Sequence, residues 1–374
     1  MIAITQLLIM SACGGKDTVI WHGTVDTLEN GTVRVSNPAE GTWHEGSTWR
    51  LVEEVKIGTR EGKGPQVFGD IADIDVDRIG RVYVLDRQAQ EVRVFGSDGR
   101  YVRTIGRLGR GPGELSAATG MAFDPLGRLW VLNQGNLRYS VFDTSGIVLQ
   151  EPSRLTGARV AGWYGVFSSE GDLYDRIFYV GPTGVKTGYV RYDTTTGQFV
   201  DTMSASRFPE GTPLGWGRSL LTPKGRWLGV ASDYRLYNTT FDGRDTLRIV
   251  ERSYERTPFS SAERDSAERQ LRDMRKRMMR GSPRISIPEY EKIFQGFVID
   301  DEDYLWVILS RAPEADSTTF DVFDPVGRYL GAVVAPYPVE PRPPPIIRGG
   351  KMAFVTKDEL DVPYVVTVGI QGRD

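Results

Sequence analysis

Ile71-Ala72-Asp73-Ile74-Asp75-Val76 leads into the polar turn Asp77-Arg78-Ile79-Gly80 and then the alternating run Arg81-Val82-Tyr83-Val84-Leu85. After Asp86-Arg87-Gln88-Ala89-Gln90 come a third run, Glu91-Val92-Arg93-Val94-Phe95, the turn Gly96-Ser97-Asp98-Gly99, and a fourth run from Arg100 to Ile105. Short stretches rich in Val, Ile, Tyr and Phe, bounded by Gly, Asp and Ser, predict four antiparallel strands. One such sheet cannot bury both of its faces, so it needs a sheet on either side. The stretch closes on a glycine-rich connector, Gly106-Arg107-Leu108-Gly109-Arg110-Gly111-Pro112-Gly113-Glu114-Leu115.

Echoes of this unit supply the neighbours. Ile57-Gly58 through Gly64-Pro65 repeats the connector one unit earlier. Met121-Ala122-Phe123-Asp124-Pro125-Leu126-Gly127-Arg128-Leu129-Trp130-Val131 repeats the strand-turn-strand, and Arg138 to Phe142 repeats the third strand, followed by Asp143-Thr144-Ser145-Gly146. Gly80 and Gly127 lie 47 residues apart, as do Gly99 and Gly146. A four-strand unit with a period in the forties is the mark of a β-propeller blade.

Six such units can be followed. Their first strands are expected to start near residues 71, 119, 163, 216, 295 and 345. Only three strands remain in the sixth, whereas Trp49 to Ile57 is a strand with no blade before it. Such an orphan would complete the last blade and remove the open edge. The period breaks between blades four and five, where about 257–281 predicts a helical insertion. Ser260-Ser261-Ala262-Glu263 has the form of a capping box, and Ala267, Leu271, Met274 and Met278 follow helical spacing. The basic side chains of its last turns are diluted by acidic ones, which favours a helix lying on the propeller over one that touches anionic lipid. The expected fold is therefore all-β: a six-bladed propeller over 48–374, closed by an N-terminal outer strand and carrying one helical insertion.

Met1 to Met10 is almost wholly apolar and runs into Ser11-Ala12-Cys13-Gly14-Gly15. An apolar run too short to span a bilayer, ending in small residues, reads as an export signal. Residues 1–13 resemble a bacterial lipoprotein signal, with Cys13 as the lipidated residue. They depart from it in having Met10 at the third position before the cysteine and no Lys or Arg before it, which would place the start codon upstream of Met1. The competing reading is a buried N-terminal strand with an inert cysteine. The expected location is the bacterial cell envelope, on the outer membrane or its periplasmic face, held by the lipid alone. Residues 14–47 read as a polar tether with one hairpin around Glu29-Asn30-Gly31. A single cysteine excludes an internal disulfide framework. A formal net charge of −3 gives no electrostatic footprint for nucleic acid.

Gly80-Arg81-Val82-Tyr83-Val84-Leu85-Asp86 running into Val92-Arg93-Val94-Phe95, together with the connector Gly106 to Glu114, resembles bacterial six-bladed propellers of the NHL-repeat type. The resemblance implies the fold and leaves the activity open, since related propellers include lyases, lactonases and adaptors. His22 and His44, the only histidines, both precede the ring. That disfavours nucleophilic triads and zinc sites within it, and with them the histidine-dependent lyases. Oxygen-only calcium chemistry of the lactonase type stays open. Its candidate ligands are Asp86, Asn133 and Asn136, which sit after second strands, where ordinary turn chemistry would also put them. The connectors should share a face with those loops. There Arg60, Lys63, Arg107 and Arg110, with Asp86 and Arg87 nearby, are candidates for holding an anionic group alongside exposed backbone N–H groups. The leading expectation is a monomeric, non-enzymatic binding or scaffold propeller without a cofactor, its ligand a protein or an anionic small molecule or glycan. The alternative is a calcium-dependent lactonase-type hydrolase.

Overall fold

The computed structural model describes residues 20–44, 47–154, 165–181, 184–204, 217–277, 289–312 and 315–373. The signal and Cys13 lie outside them, as do parts of the connectors that follow blades two, three and four. A hairpin of β1 (Thr24–Thr27) and β2 (Val33–Asn37) precedes β3 (Arg50–Ile57). Blade one holds β4 (Ile71–Val76), β5 (Val82–Asp86), β6 (Glu91–Phe95) and β7 (Tyr101–Ile105). Blade two holds β8 (Ala118–Phe123), β9 (Leu129–Asn133), β10 (Arg138–Phe142) and β11 (Val148–Gln150). Blade three holds β12 (Val166–Phe167), β13 (Leu173–Gly181), β14 (Gly184–Asp193) and β15 (Gln198–Ser204). Blade four holds β16 (Gly217–Thr222), β17 (Gly225–Val230), β18 (Arg235–Thr239) and β19 (Thr246–Arg252), and α1 (Ser261–Arg277) follows. Blade five holds β20 (Phe294–Ile299), β21 (Leu305–Leu309), β22 (Thr318–Phe323) and β23 (Tyr329–Ala335). Blade six holds β24 (Ile346–Arg348), β25 (Lys351–Lys357) and β26 (Pro363–Gln371), and its outer strand is β3.

The first strands begin within three residues of the positions the spacing predicts. Around the ring, β4 touches β8, β12 touches β16, β16 touches β20, β20 touches β24 and β24 touches β4. The first strands thus line a central tunnel. Apolar side chains fill the clefts between blades: Tyr83 and Met121 between one and two, Trp130 and Phe167 between two and three, Phe294 and Phe323 between four and five, Trp306 and Phe354 between five and six. In blade six, β26 and β3 are antiparallel, from Val365 opposite Ile57 to Gln371 opposite Arg50.

One local device recurs in the turns. The Asp77 carboxylate accepts the amides of Ile79 and Arg81 on Oδ1, and Arg81 Nε on Oδ2 at 2.6 Å, with Tyr83 Oη donating at 3.3 Å. Asp124 repeats this with Leu126, Arg128 and the indole of Trp130. A short acceptor at the turn's first position satisfies amides the hairpin leaves unpaired. Gly80 and Gly127 complete these turns at φ of 82° and 79°, a region that costs glycine little. Asp300 has the amides of Glu302 and Tyr304 and the Trp306 indole, but no local arginine, and Arg373 Nη2 stands 2.9 Å from it instead.

The expected tether needs correcting. β2 pairs in parallel with β19, Val33 opposite Arg248 through Asn37 opposite Arg252, so that sheet has six strands. Val35 is fully buried, and Asn37 bonds the carbonyls of Glu251 and Gly327 and the amide of Tyr329. The Asn30-Gly31 signal shows the hairpin. Its dock lies 214 residues further on, beyond any local pattern. The excursion carrying α1 is closed at its base where Glu291 N donates to Thr257 O and Phe259 N to Glu289 O.

Candidate functional site

The residues expected to hold a ligand serve chiefly to build the connector face. Asp86, 1 % exposed, accepts the amides of Gly69, Gln88 and Ala89, and Arg93 Nη2 lies 3.5 Å away. Arg93 in turn donates to the carbonyls of Pro65 and Val67, so the pair fastens the first connector. Asn133 stands 47 residues after Asp86 and does the same for the second connector. It accepts the Ser116 amide and donates to Glu114 O and Ser140 Oγ. Asn136 donates to Gly109 O and Glu114 O. The Asp86 carboxylate and the Asn133 amide, offered above as calcium ligands, are thus bonded to their own connectors. Among the described residues no group of three or more His, Cys, Asp or Glu is placed to hold a metal.

The expected cluster of four cations also dissolves. Arg60 Nε meets Asp358 at 2.6 Å, and its Nη2 bonds Glu359. The reason is the recurring turn device. Asp358 accepts the amides of Leu360 and Val362 and Tyr364 Oη, but Val362 stands where other turns carry arginine. Arg60 supplies the missing guanidinium. Burial pushes the Asp358 carboxyl up, yet Arg60 and the turn amides outweigh it and hold the pKa at about 2. Arg107 pairs with Glu114 at 2.9 Å, and Arg87 with Asp70 at 2.6 Å. Lys63 and Arg110 are exposed and carry no ion pair among the described residues.

The proposed backbone nest has an internal occupant. Gly111 N donates to Glu114 Oε2 at 2.8 Å, and Gly113 N to Glu151 Oε1 at 3.0 Å. The Gly111 amide, then Arg107, hold the Glu114 carboxyl below the usual range. The connector has supplied its own anion, so an external one would have to displace it.

Polar groups that sequence reasoning missed lie on the first strands, around the tunnel. Asp73 Oδ2 accepts Met121 N at 2.8 Å, and Asp75 Oδ2 accepts Phe123 N at 3.0 Å. These carboxyls thereby satisfy amides on the free inner edge of β8. Burial, with Asp75 adding repulsion, pushes the Asp73 pKa up to about 8. Burial pushes Asp75 up too, against the pull of Arg348. Two aspartates alternating where the next blade has Gly120 and Ala122 were the available signal.

At the connector end of the tunnel, Thr119 and Gln295 occupy equivalent positions, five residues before Asp124 and Asp300. Thr119 Oγ1 and Gln295 Nε2 are buried without a partner. Arg218 Nε donates to Gln295 O at 2.5 Å, and burial together with Arg218 lowers the pKa of nearby Lys292. Blades two, four and five therefore bring donors and acceptors to one mouth.

The chain is a six-bladed β-propeller. The family described as a 6-bladed beta-propeller matches residues 61–146, the stretch that spans blade one and most of blade two. No curated protein compared with the chain matches it. Among solved structures, a Bacteroides fragilis protein inferred to be exported has a TM-score of 0.51 at 14% identity, over 90% of this chain and 99% of its own. A member of the DUF4221 family from Bacteroides vulgatus has a TM-score of 0.54 at 12% identity, over 87% and 98%. At such identities the likeness is one of fold.

Proposed function

We propose that this protein is an exported, non-enzymatic binding propeller of the cell envelope, working as a single chain anchored through Cys13, with its ligand at the connector-side mouth of the tunnel. The observation that carries the site is the pair of buried, unpartnered groups, Thr119 Oγ1 and Gln295 Nε2, on first strands of different blades. An unsatisfied buried polar group costs about 1–3 kcal/mol, and a ligand that bonds both recovers it. Loops from several blades converge only at a tunnel mouth, where they make one concave surface. Binding is favoured over hydrolysis because Asp86 and Asn133, the central oxygens offered for calcium, are bonded to the backbone of their own connectors. Export is in keeping with the Bacteroides fragilis neighbour and with the apolar run before Cys13. No helix among the described residues is long and apolar enough to cross a membrane.

Native mass spectrometry of the chain recovered from envelopes tests the site. Wild type should carry an added mass that Gln295→Leu with Thr119→Val loses while keeping its fold. Wild type and variant with the same mass would refute the mouth as the binding site. Fatty-acid labelling tests the anchor: label should vanish in Cys13→Ser, and unchanged label would reject lipidation.

A further inference from the structure

A second concavity lies on the opposite face of the ring, in the cleft between blades six and one. It encloses about 310 Å³, a size that suits a small organic molecule. Its floor is apolar, with Val82, Met352 and Ala353 at most 3 % exposed. Ile79, at 73 % exposure, stands at the rim. The space exists because Ala353 and Thr367 are small residues at positions that face blade one.

Two features make this more than a packing gap. Thr367, 8 % exposed, lines the cleft, and its Oγ1 is buried without a partner. Arg78 and Arg348 also line it, and each spends a guanidinium nitrogen on a backbone carbonyl: Arg78 on Pro125 O, and Arg348 Nη1 on Val76 O at 2.7 Å. Neither forms an ion pair with a carboxylate among the described residues. Of the other charges around the cleft, Lys351 pairs with Glu54 at 2.7 Å and Asp77 with Arg81 at 2.6 Å, while Asp301 accepts the Gly349 amide at 2.9 Å. Asp75 lies within the field of Arg348, and burial pushes its carboxyl up against that pull.

We infer that this cleft binds a small organic carboxylate with a compact apolar body, its anionic head toward Arg348 and its body against Val82, Met352 and Ala353. Thr367 Oγ1 would meet a polar atom of the ligand, which recovers the bond that the fold leaves unmade. Neutral molecules of the same shape would fill the floor without bonding the Arg348 guanidinium. This inference does not rest on the tunnel-mouth reading, because the two sites share no residue.

Hexanoate is the probe, titrated into the whole protein by calorimetry, with hexanol as the neutral match. One saturable site for hexanoate is expected, with hexanol at least about tenfold weaker. Arg348→Gln and Thr367→Val should each weaken hexanoate by about tenfold while the melting temperature stays close to the parent's. Gln295→Leu at the tunnel mouth should leave it unchanged. Absence of saturable hexanoate binding overturns the inference, and so does hexanol binding as tightly. Parent-like binding in both cleft variants overturns it as well. Should a variant fail to fold, the contrast between hexanoate and hexanol on the parent decides.

Discussion

Asp73→Asn should stabilise the ring at pH 8 and flatten its pH dependence. The Asp73 carboxyl has its pKa pushed from 3.8 to about 8 by burial. In the unfolded chain it ionises near pH 4, while in the folded chain it holds its proton to about pH 8. Between those values the folded state binds more protons, so stability falls as pH rises and is greatest below the unfolded pKa. A shift of this size corresponds to ~6 kcal/mol over the whole window. Asp73 is only partly shut off from solvent, and screening should reduce the visible loss to ~2–3 kcal/mol. Asparagine keeps an acceptor for Met121 N but cannot ionise, and it places an NH2 near Ile74 N, at a cost of ~1 kcal/mol. Urea unfolding followed by tryptophan fluorescence at pH 5, 6.5 and 8 reads the effect. The wild type should lose stability across the series and the variant should not, so that the variant is the more stable at pH 8 and slightly the less stable at pH 5. A wild-type midpoint that is flat or rises with pH would refute the reasoning.

Other expectations follow from the same geometry. Arg60→Ala should raise the titration of Asp358 from about 2 toward the ordinary carboxylate range, read by NMR, because it removes the bond at 2.6 Å. The melting temperature should fall only slightly, since Arg60 is exposed and solvent screens the pair. Asp321→Asn should cost ~3–5 kcal/mol in urea unfolding, because it strips the counter-ion from an enclosed arginine. Asp321 lies 2.7 Å from Arg252, whose side chain is 11% exposed, and it also accepts the hydroxyls of Tyr234 and Tyr329. Arg107→Ser with Arg110→Ser should leave retention on an immobilised carboxylate within the change expected from net charge alone, because Arg107 is already paired with Glu114.

Blades one and two were the most legible because both repeat a local solution. An aspartate opens the first turn, a glycine at positive φ closes it, and an arginine with an aromatic residue anchors the aspartate. The dock of the β1–β2 hairpin on β19 was not legible, because a parallel pairing between distant segments leaves no periodic mark. Asp86, Asn133 and Asn136 were legible as polar residues at or after the ends of second strands, but the bonds they make to their own connectors were not. Asp86 and Asn133 stand 47 residues apart, and so do the amides of Gly69 and Ser116 that they accept. A polar pair that keeps the blade period points to the construction of those two blades rather than to one site. Groups that break the period behave differently. Asp73, Asp75, Thr119 and Gln295 have no matching side chain in each neighbouring blade, and they stand on first strands around the tunnel.

Calorimetric titration of the protein with calcium, run beside a lactone-hydrolysis assay, tests most directly whether this propeller binds rather than catalyses. With the oxygens of Asp86 and Asn133 bonded to their own connectors, we expect no stoichiometric calcium binding and no hydrolysis above the uncatalysed rate. One calcium per chain, lost together with lactone hydrolysis in Asp86→Ala, would contradict the account.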